Sequence, residues 1–296
     1  MGIWVDTDMG VDDLFAIFLV RRYLAIDGIS LVFGNAPLDR VCRNAAGARD
    51  RFGWTMPIVA GADRALLGGA ETAQRILGES GMPSRGERLP ECRAIFEAAQ
   101  PALAAWLERA VDARILALGP LANLAILVLH RPDLAGRIGE VVWMGGGVTR
   151  GNHTASAEFN ALADPEALAV LLAREVPLTM IDLDACRQVE ITEDDVRSLA
   201  APPLIRDLLG GYLDIALTRG RTGMALYDPV AAAALACPEL FTFAAARIDV
   251  ELAGRHTRGR TVVDQRDPVA ANARIVDSLD AATVKSLCLS ALEDVC

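Results

Sequence analysis

Four aspartates, Asp6, Asp8, Asp12 and Asp13, fall within eight residues of one another in the run Trp4-Val5-Asp6-Thr7-Asp8-Met9-Gly10-Val11-Asp12-Asp13. Two carboxylates about 4 Å apart repel by roughly 4 kcal/mol at an effective dielectric of about 20, so acids converging at this density take up protons or recruit a counter-ion. A hard divalent cation is the natural counter-ion. One acid here could simply cap a helix, where free N–H groups and the dipole favour negative charge. Four acids call for more than a cap.

The elements that must position them can be read from the same stretch. Ile3, Trp4 and Val5 form a short buried strand and residues 14–20 an apolar helix, so the aspartates belong to a strand-to-helix turn. Gly10 permits the tight turn, and strand alternation puts Asp6 and Asp8 on one side. Further strands are expected at 29–33, 57–59, 114–118, 140–144 and 178–181, separated by helices at 38–51, 92–111, 121–129 and 165–174. This alternation predicts an α/β fold, a single open, mainly parallel, twisted sheet flanked by helices with a Rossmann-like core. Ligands bind such sheets beyond the carboxyl ends of the strands, where Asp8, Asn35, Gly119-Pro120 and Gly145-Gly146-Gly147 fall. One domain over 1–296 is expected, with a Gly-, Ser-, Arg- and Glu-rich excursion at about 63–90 acting as a lid. The Arg-rich stretch 255–266 reads as a hairpin or solvated surface.

At 296 residues the chain can bury a sizeable core, and its net charge of −10 argues against a nucleic-acid or anionic-membrane surface. A small neutral or cationic ligand fits better. Cys42, Cys92, Cys186, Cys237, Cys288 and Cys296 form no C-x-x-C pair and read as reduced thiols of a cytoplasmic protein. The chain enters its first strand at once, so no leader is expected, and no apolar run is long enough to span a bilayer.

Two later segments add chemistry. Met144-Gly145-Gly146-Gly147 is followed by Gly151-Asn152 and by Ala157-Glu158-Phe159-Asn160, which bring amide and acid groups suited to hydroxyls close to flexible backbone. Tyr227-Asp228-Pro229 opens another apolar helix, and alone Asp228 would be an ordinary cap.

Taken together, Asp6-x-Asp8-x-Gly10-x-Asp12-Asp13, Gly34-Asn35, Gly119-Pro120-Leu121-x-Asn123, Met144-Gly145-Gly146, Gly151-Asn152, Ala157-Glu158-Phe159-Asn160 and Asp228-Pro229 resemble the inosine-uridine nucleoside hydrolase family, the nucleoside N-ribohydrolases. The resemblance runs over essentially the whole chain. It implies a homodimer or homotetramer that hydrolyses the N-glycosidic bond of ribonucleosides to ribose and free base. It also implies a calcium ion on Asp8, Asp13, Asp228 and the backbone carbonyl of Leu118, where the family often has Thr. Asp8 would be the general base for the attacking water, and Asp12 would bond the 2′-hydroxyl. Asn160 would bond the ribose diol, Asn152 and Glu158 the 5′-hydroxyl, Asn35 the diol or the metal shell, and Met144 would lie against the sugar.

The pattern breaks on the base side. Tyr227 stands where many members have a histidine before the late aspartate, and Leu77 where they carry one in the lid. The tryptophan of purine-preferring members is missing too. Tyr227 can still donate a proton or stack on a base. His130 and His256 read as surface residues, and His153 takes a position usually aromatic, for loop packing or a direct role. Two rivals follow: a ribose- or nucleoside-binding protein that has lost turnover, and a haloacid-dehalogenase-type phosphatase using Asp6 and Asp8. The phosphatase reading would need Lys285, the single lysine, which is expected in a terminal helix.

Overall fold

The computed structural model describes every residue except 1, 94, 267, 268, 294 and 296. Cys296 lies outside the described residues; the other five cysteines are free thiols. Nine strands, β1 (Ile3–Thr7), β2 (Ile26–Leu31), β3 (Ile58–Ala60), β4 (Ala113–Ala117), β5 (Ile138–Met144), β6 (Leu178–Ile181), β9 (Phe241–Val250), β10 (Thr261–Asp264) and β11 (Ala273–Leu279), form one open sheet. Between β6 and β9 in the chain, β7 (Glu190–Thr192) and β8 (Gly223–Ala225) pair as a separate antiparallel ribbon.

Across the sheet the order is β10-β9-β11-β6-β5-β4-β1-β2-β3. The run from β11 to β3 is parallel, and β9 and β10 close one edge antiparallel. The 255–266 stretch largely forms the β9–β10 hairpin connection, where Arg258 is paired with Glu166. The chain leaves β1 toward β2 and β3 and then returns to the other side of β1 as β4. That reversal opens a crevice beyond the carboxyl ends of β1 and β4, the place where open α/β sheets bind ligands.

The helix Val11–Tyr23 explains why no amphipathic stripe marks the chain after the aspartates. It packs against the helices Asp228–Ala236 and Ala281–Glu293 and is buried from Leu14 to Val20, so it is apolar on every side. This brings the N-terminus of the Asp228 helix beside the N-terminus of the first helix, and hence Asp228 beside Asp12 and Asp13.

Two expected elements shift. The helix expected at 92–111 spans Ala99–Arg109 only, because Glu97 lends its carbonyl to Ala60 N–H at 2.8 Å and Ala98 bridges to Ala60 as extended chain. Pro101 disfavours the longer helix by about 3 kcal/mol: its ring would meet the Glu97 carbonyl and it has no N–H to donate there. The strand expected at 29–33 spans Ile26–Leu31 instead. Its start is fixed by pairing with Ile3, while Val32 and Phe33 donate their N–H groups to Thr7 and Ala62 carbonyls beyond the ladder.

Candidate active site

The aspartate turn is held by a set of short local bonds. Thr7 Oγ1 donates to Asp13 Oδ1 and accepts from Met9 N–H at 3.0 Å, and Gly10 N–H donates to Asp13 Oδ2 at 2.7 Å. Met9 is forced to φ 33°, a left-handed conformation that costs a non-glycine residue energy and that the surrounding bonds sustain. Its carbonyl accepts from Asn44 Nδ2, which also holds the Ser80 carbonyl and so ties the turn to the 63–90 excursion.

Asp8 and Asp6 part company at this turn, because β1 ends at Thr7. Asp6 is fully buried and bonded by Ser30 Oγ and by Asn123 Nδ2 at 2.7 Å. Asp8 is gripped by Asn35, whose N–H donates to Oδ2 at 2.7 Å and whose Nδ2 donates to Oδ1 at 3.0 Å. Gly34 makes the grip possible: a Cβ there would lie 2.0 Å from Asp8 Oδ2.

Carboxyl oxygens of Asp12, Asp13 and Asp228 lie within 4.8 Å of one another, and Asn35 Nδ2 bridges Asp8 Oδ1 and Asp13 Oδ2 at 3.0 and 2.9 Å. Carboxyls this close need a shared proton or a cation between them. Burial, then mutual repulsion, pushes Asp8 and Asp228 well above the usual carboxylate range and Asp12 up to about 7. Burial also raises Asp13, against bonds from Thr7 and Gly10. An oxygen-only cluster whose members resist ionisation without positive charge fits a hard divalent metal.

This cluster opens into a pocket of about 250 Å³ lined by Asp12, Asn35, Leu118, Met144, Asn152, Glu158 and Asn160. Asn160 Nδ2 donates to the Leu118 and Met144 carbonyls, each at 3.0 Å, which leaves its Oδ1 as an acceptor. Glu158 caps the helix Phe159–Ala163 and accepts N–H bonds from Gly146, Asn160 and Ala161. Burial nevertheless pushes its pKa up to about 7. Asn152 Oδ1 accepts from Phe159 N–H at 3.0 Å, leaving the amide NH₂ to donate. All the residues expected at the ribose therefore meet in one crevice.

Leu77, Ile76, Ala73, Met224 and Tyr227 also line the pocket. Leu77 and its neighbours come from the 63–90 excursion. The Tyr227 phenol is pushed by burial up to about 12, so it stays protonated and acts as a donor. His153 packs edge-on against Phe159, with ring centroids 5.3 Å apart, and its Nε2 lies 3.2 Å from Glu71 Oε1. It joins the Asn152 loop to the excursion. His130 and His256 are exposed. Lys285, which a phosphatase reading requires, is engaged with Asp195 at 2.7 Å.

Sequence reasoning missed Tyr212. Its hydroxyl lies 3.0 Å from Asp12 Oδ2 and 3.1 Å from the Ala225 carbonyl, inside the helix Pro203–Leu217. The available signal was a lone polar-tipped side chain on the apolar face of that helix.

Comparison with known proteins gives one answer. The family model described as inosine-uridine preferring nucleoside hydrolase matches residues 3–286. The non-specific ribonucleoside hydrolase RihC of Salmonella paratyphi B is 33% identical over 292 residues, covering 95% of this chain and 94% of the relative. The solved purine-preferring ribonucleoside hydrolase from Gardnerella vaginalis superposes with a TM-score of 0.90 at 26% identity, covering 100% of this chain and 99% of the other. An inosine-guanosine nucleoside hydrolase gives 0.89 at 25%, with the same coverage. Among the described residues no helix is long and apolar enough to cross a membrane.

Proposed function

Because the chain belongs to the inosine-uridine preferring nucleoside hydrolase family and is a nucleoside hydrolase, we propose that it splits ribonucleosides with calcium held by Asp8, Asp13, Asp228 and the Leu118 carbonyl. When bound, the ion supplies positive charge to the vicinal ribose hydroxyls and lowers the pKa of an attacking water. Every other part of the reaction falls to the chain.

Asp8 takes the proton of the water, held in register by the two Asn35 bonds. Asp12, steadied by Tyr212, accepts from the 2′-hydroxyl. Asn160 offers Oδ1 to the ribose diol because its amide nitrogen is already spent on Leu118 and Met144. Asn152 and Glu158 take the 5′-hydroxyl, and Met144 covers the sugar face. As the C1′–N bond stretches, the ribose gains oxocarbenium character, which the surrounding carboxylates stabilise. Tyr227 donates a hydrogen bond to the departing base.

The observation that carries this reading is the convergence of Asp12, Asp13 and Asp228 oxygens within 4.8 Å, with Asn35 joining Asp13 to Asp8, at the edge of a polar crevice. It is tested by measuring ribose release from inosine, uridine, cytidine and adenosine by chelator-treated protein with calcium, magnesium or neither added. Calcium-restored release supports it. Tight nucleoside binding with no product would favour a binding protein that has lost turnover. We expect the active form to be a cytoplasmic homodimer or homotetramer, which light scattering checks for the assembly.

A further inference from the structure

The pocket has a cationic side that the ribose chemistry does not use. In a chain of net charge −10, Arg150, Arg187, Arg219 and Arg221 line the same crevice as the aspartates. Arg187 is fixed by a 2.9 Å bond to the Gly151 carbonyl and lies 3.4 Å from Asp184. Arg150, Arg219 and Arg221 are exposed and, like several other surface arginines, have no carboxylate partner among the described residues. Arg219 and Arg221 sit on one tight turn, their N–H groups both bonded to the Ala216 carbonyl. Stabilising the C-terminal end of the helix Pro203–Leu217 would account for these two, but not for Arg150 and Arg187.

Arg219 and Arg221 lie on the same stretch of chain as Met224 and Tyr227, which line the pocket with them. Burial pushes the Tyr227 phenol up, and Arg187 and Arg221 both lie near enough to pull it back down. Asp12 and Glu158 line the same pocket. A phosphate on the 5′-hydroxyl would sit beside the Glu158 carboxyl, which disfavours it. A negative charge on the base would meet the guanidinium groups of Arg187, Arg219 and Arg221 that line the same pocket.

Resting on the hydrolase reading, we propose that this pocket selects ribonucleosides whose base carries a negative charge, a carboxylate being the simplest, on the edge away from the ribose, recognised by Arg187, Arg219 and Arg221.

The probe pair is 5-carboxyuridine against uridine, which differ by that one group, with uridine 5′-monophosphate as the alternative source of charge. We expect kcat/KM for 5-carboxyuridine to exceed that for uridine by roughly tenfold at low salt, the preference shrinking as ionic strength rises. Arg219→Gln and Arg221→Gln, both at exposed positions, should remove most of the preference and leave uridine turnover within about twofold. Equal rates on the two nucleosides, or a preference unmoved by either substitution, overturns the proposal. So does faster hydrolysis of the 5′-monophosphate than of both, which would put the anion site at the ribose. Calorimetric titration with free uracil-5-carboxylate and uracil separates this outcome from a failure of the hydrolase reading. Stronger binding of the carboxylate, lost in Arg221→Gln, supports the arginine site whether or not nucleosides are cleaved; equal or no binding of the two bases overturns it.

Discussion

Asn35 binds both oxygens of Asp8 from two different groups, its backbone N–H at 2.7 Å and its side-chain amide at 3.0 Å, while the same amide reaches Asp13 at 2.9 Å. The amide thus fixes the spacing of the proposed base and of a proposed metal ligand at once. Asn35→Ala is expected to lower kcat by roughly tenfold and to weaken calcium binding, because two buried carboxylates each lose a donor worth about 1–2 kcal/mol. Asp8→Asn should cost at least about a hundredfold in kcat at saturating calcium, the usual contribution of a positioned base. Steady-state kinetics beside a calcium titration of each variant checks both. If Asn35→Ala lowers kcat with calcium affinity untouched, the shared clamp is wrong.

Tyr212 gives Asp12 a partner at 3.0 Å from a helix that contributes no acid to the cluster. Tyr212→Phe removes that donor and keeps the ring, so folding should survive with a small loss of Tm. KM for a good ribonucleoside is expected to rise about fivefold to tenfold with kcat changed less, since Asp12 is proposed to hold the 2′-hydroxyl. Asp12→Asn should exceed this effect on KM and leave calcium affinity near that of the parent. Loss of calcium binding in Asp12→Asn would instead place Asp12 in the metal shell, as its closeness to Asp13 and Asp228 allows.

The metal-free protein should become less stable as pH rises. Burial holds Asp6 at about 6 and Asp12 at about 7, against an ordinary value of 3.8, so between about pH 4 and 7 the folded chain binds more protons than the unfolded one. Stability therefore falls with rising pH through that window. At about 1.4 kcal/mol per pKa unit, a drop in Tm on the order of 5–10 °C is expected in chelator. Calcium binds the ionised carboxylates of the folded state and should flatten or reverse the slope. Thermal melts from pH 4 to 7.5, with chelator and with calcium, provide the comparison; parallel curves would exclude the cluster as the cation site.

Much of this was legible in the chain because the chemistry sits where the backbone is constrained. Strand ends, a glycine that must admit Asp8, and prolines that open helices leave marks in sequence, and the resemblance joined them into one site. What stayed hidden depends on packing between distant elements. Asp6 is excluded from the cluster because Ser30 and Asn123 reach it across β2 and the helix Ala122–His130, and no spacing rule contains that contact. Tyr212 meets Asp12 across 200 residues of chain. The four pocket arginines come from three segments of the chain, and only folding shows them lining one pocket. The helix expected from residue 92 failed for a local reason that was readable, Pro101 set against the Glu97 carbonyl.

Tyr227 stands where an acid for the leaving base is expected, yet burial pushes its phenol up to about 12. A phenol so reluctant to ionise is a poor proton donor in full and a good hydrogen-bond donor. Its contribution should therefore depend on how much help the leaving group needs. Tyr227→Phe is expected to lower kcat on uridine by about tenfold, the value of one hydrogen bond to a developing charge in a dry site. On 4-nitrophenyl riboside, whose leaving group departs without protonation, the same variant should stay within about twofold of the parent. Plotting log kcat against leaving-group pKa for the two proteins should give a steeper line for the variant. Equal losses on both substrates would assign the Tyr227 hydroxyl to positioning the pocket rather than to the leaving group, because a purely positional defect does not track the basicity of the departing group.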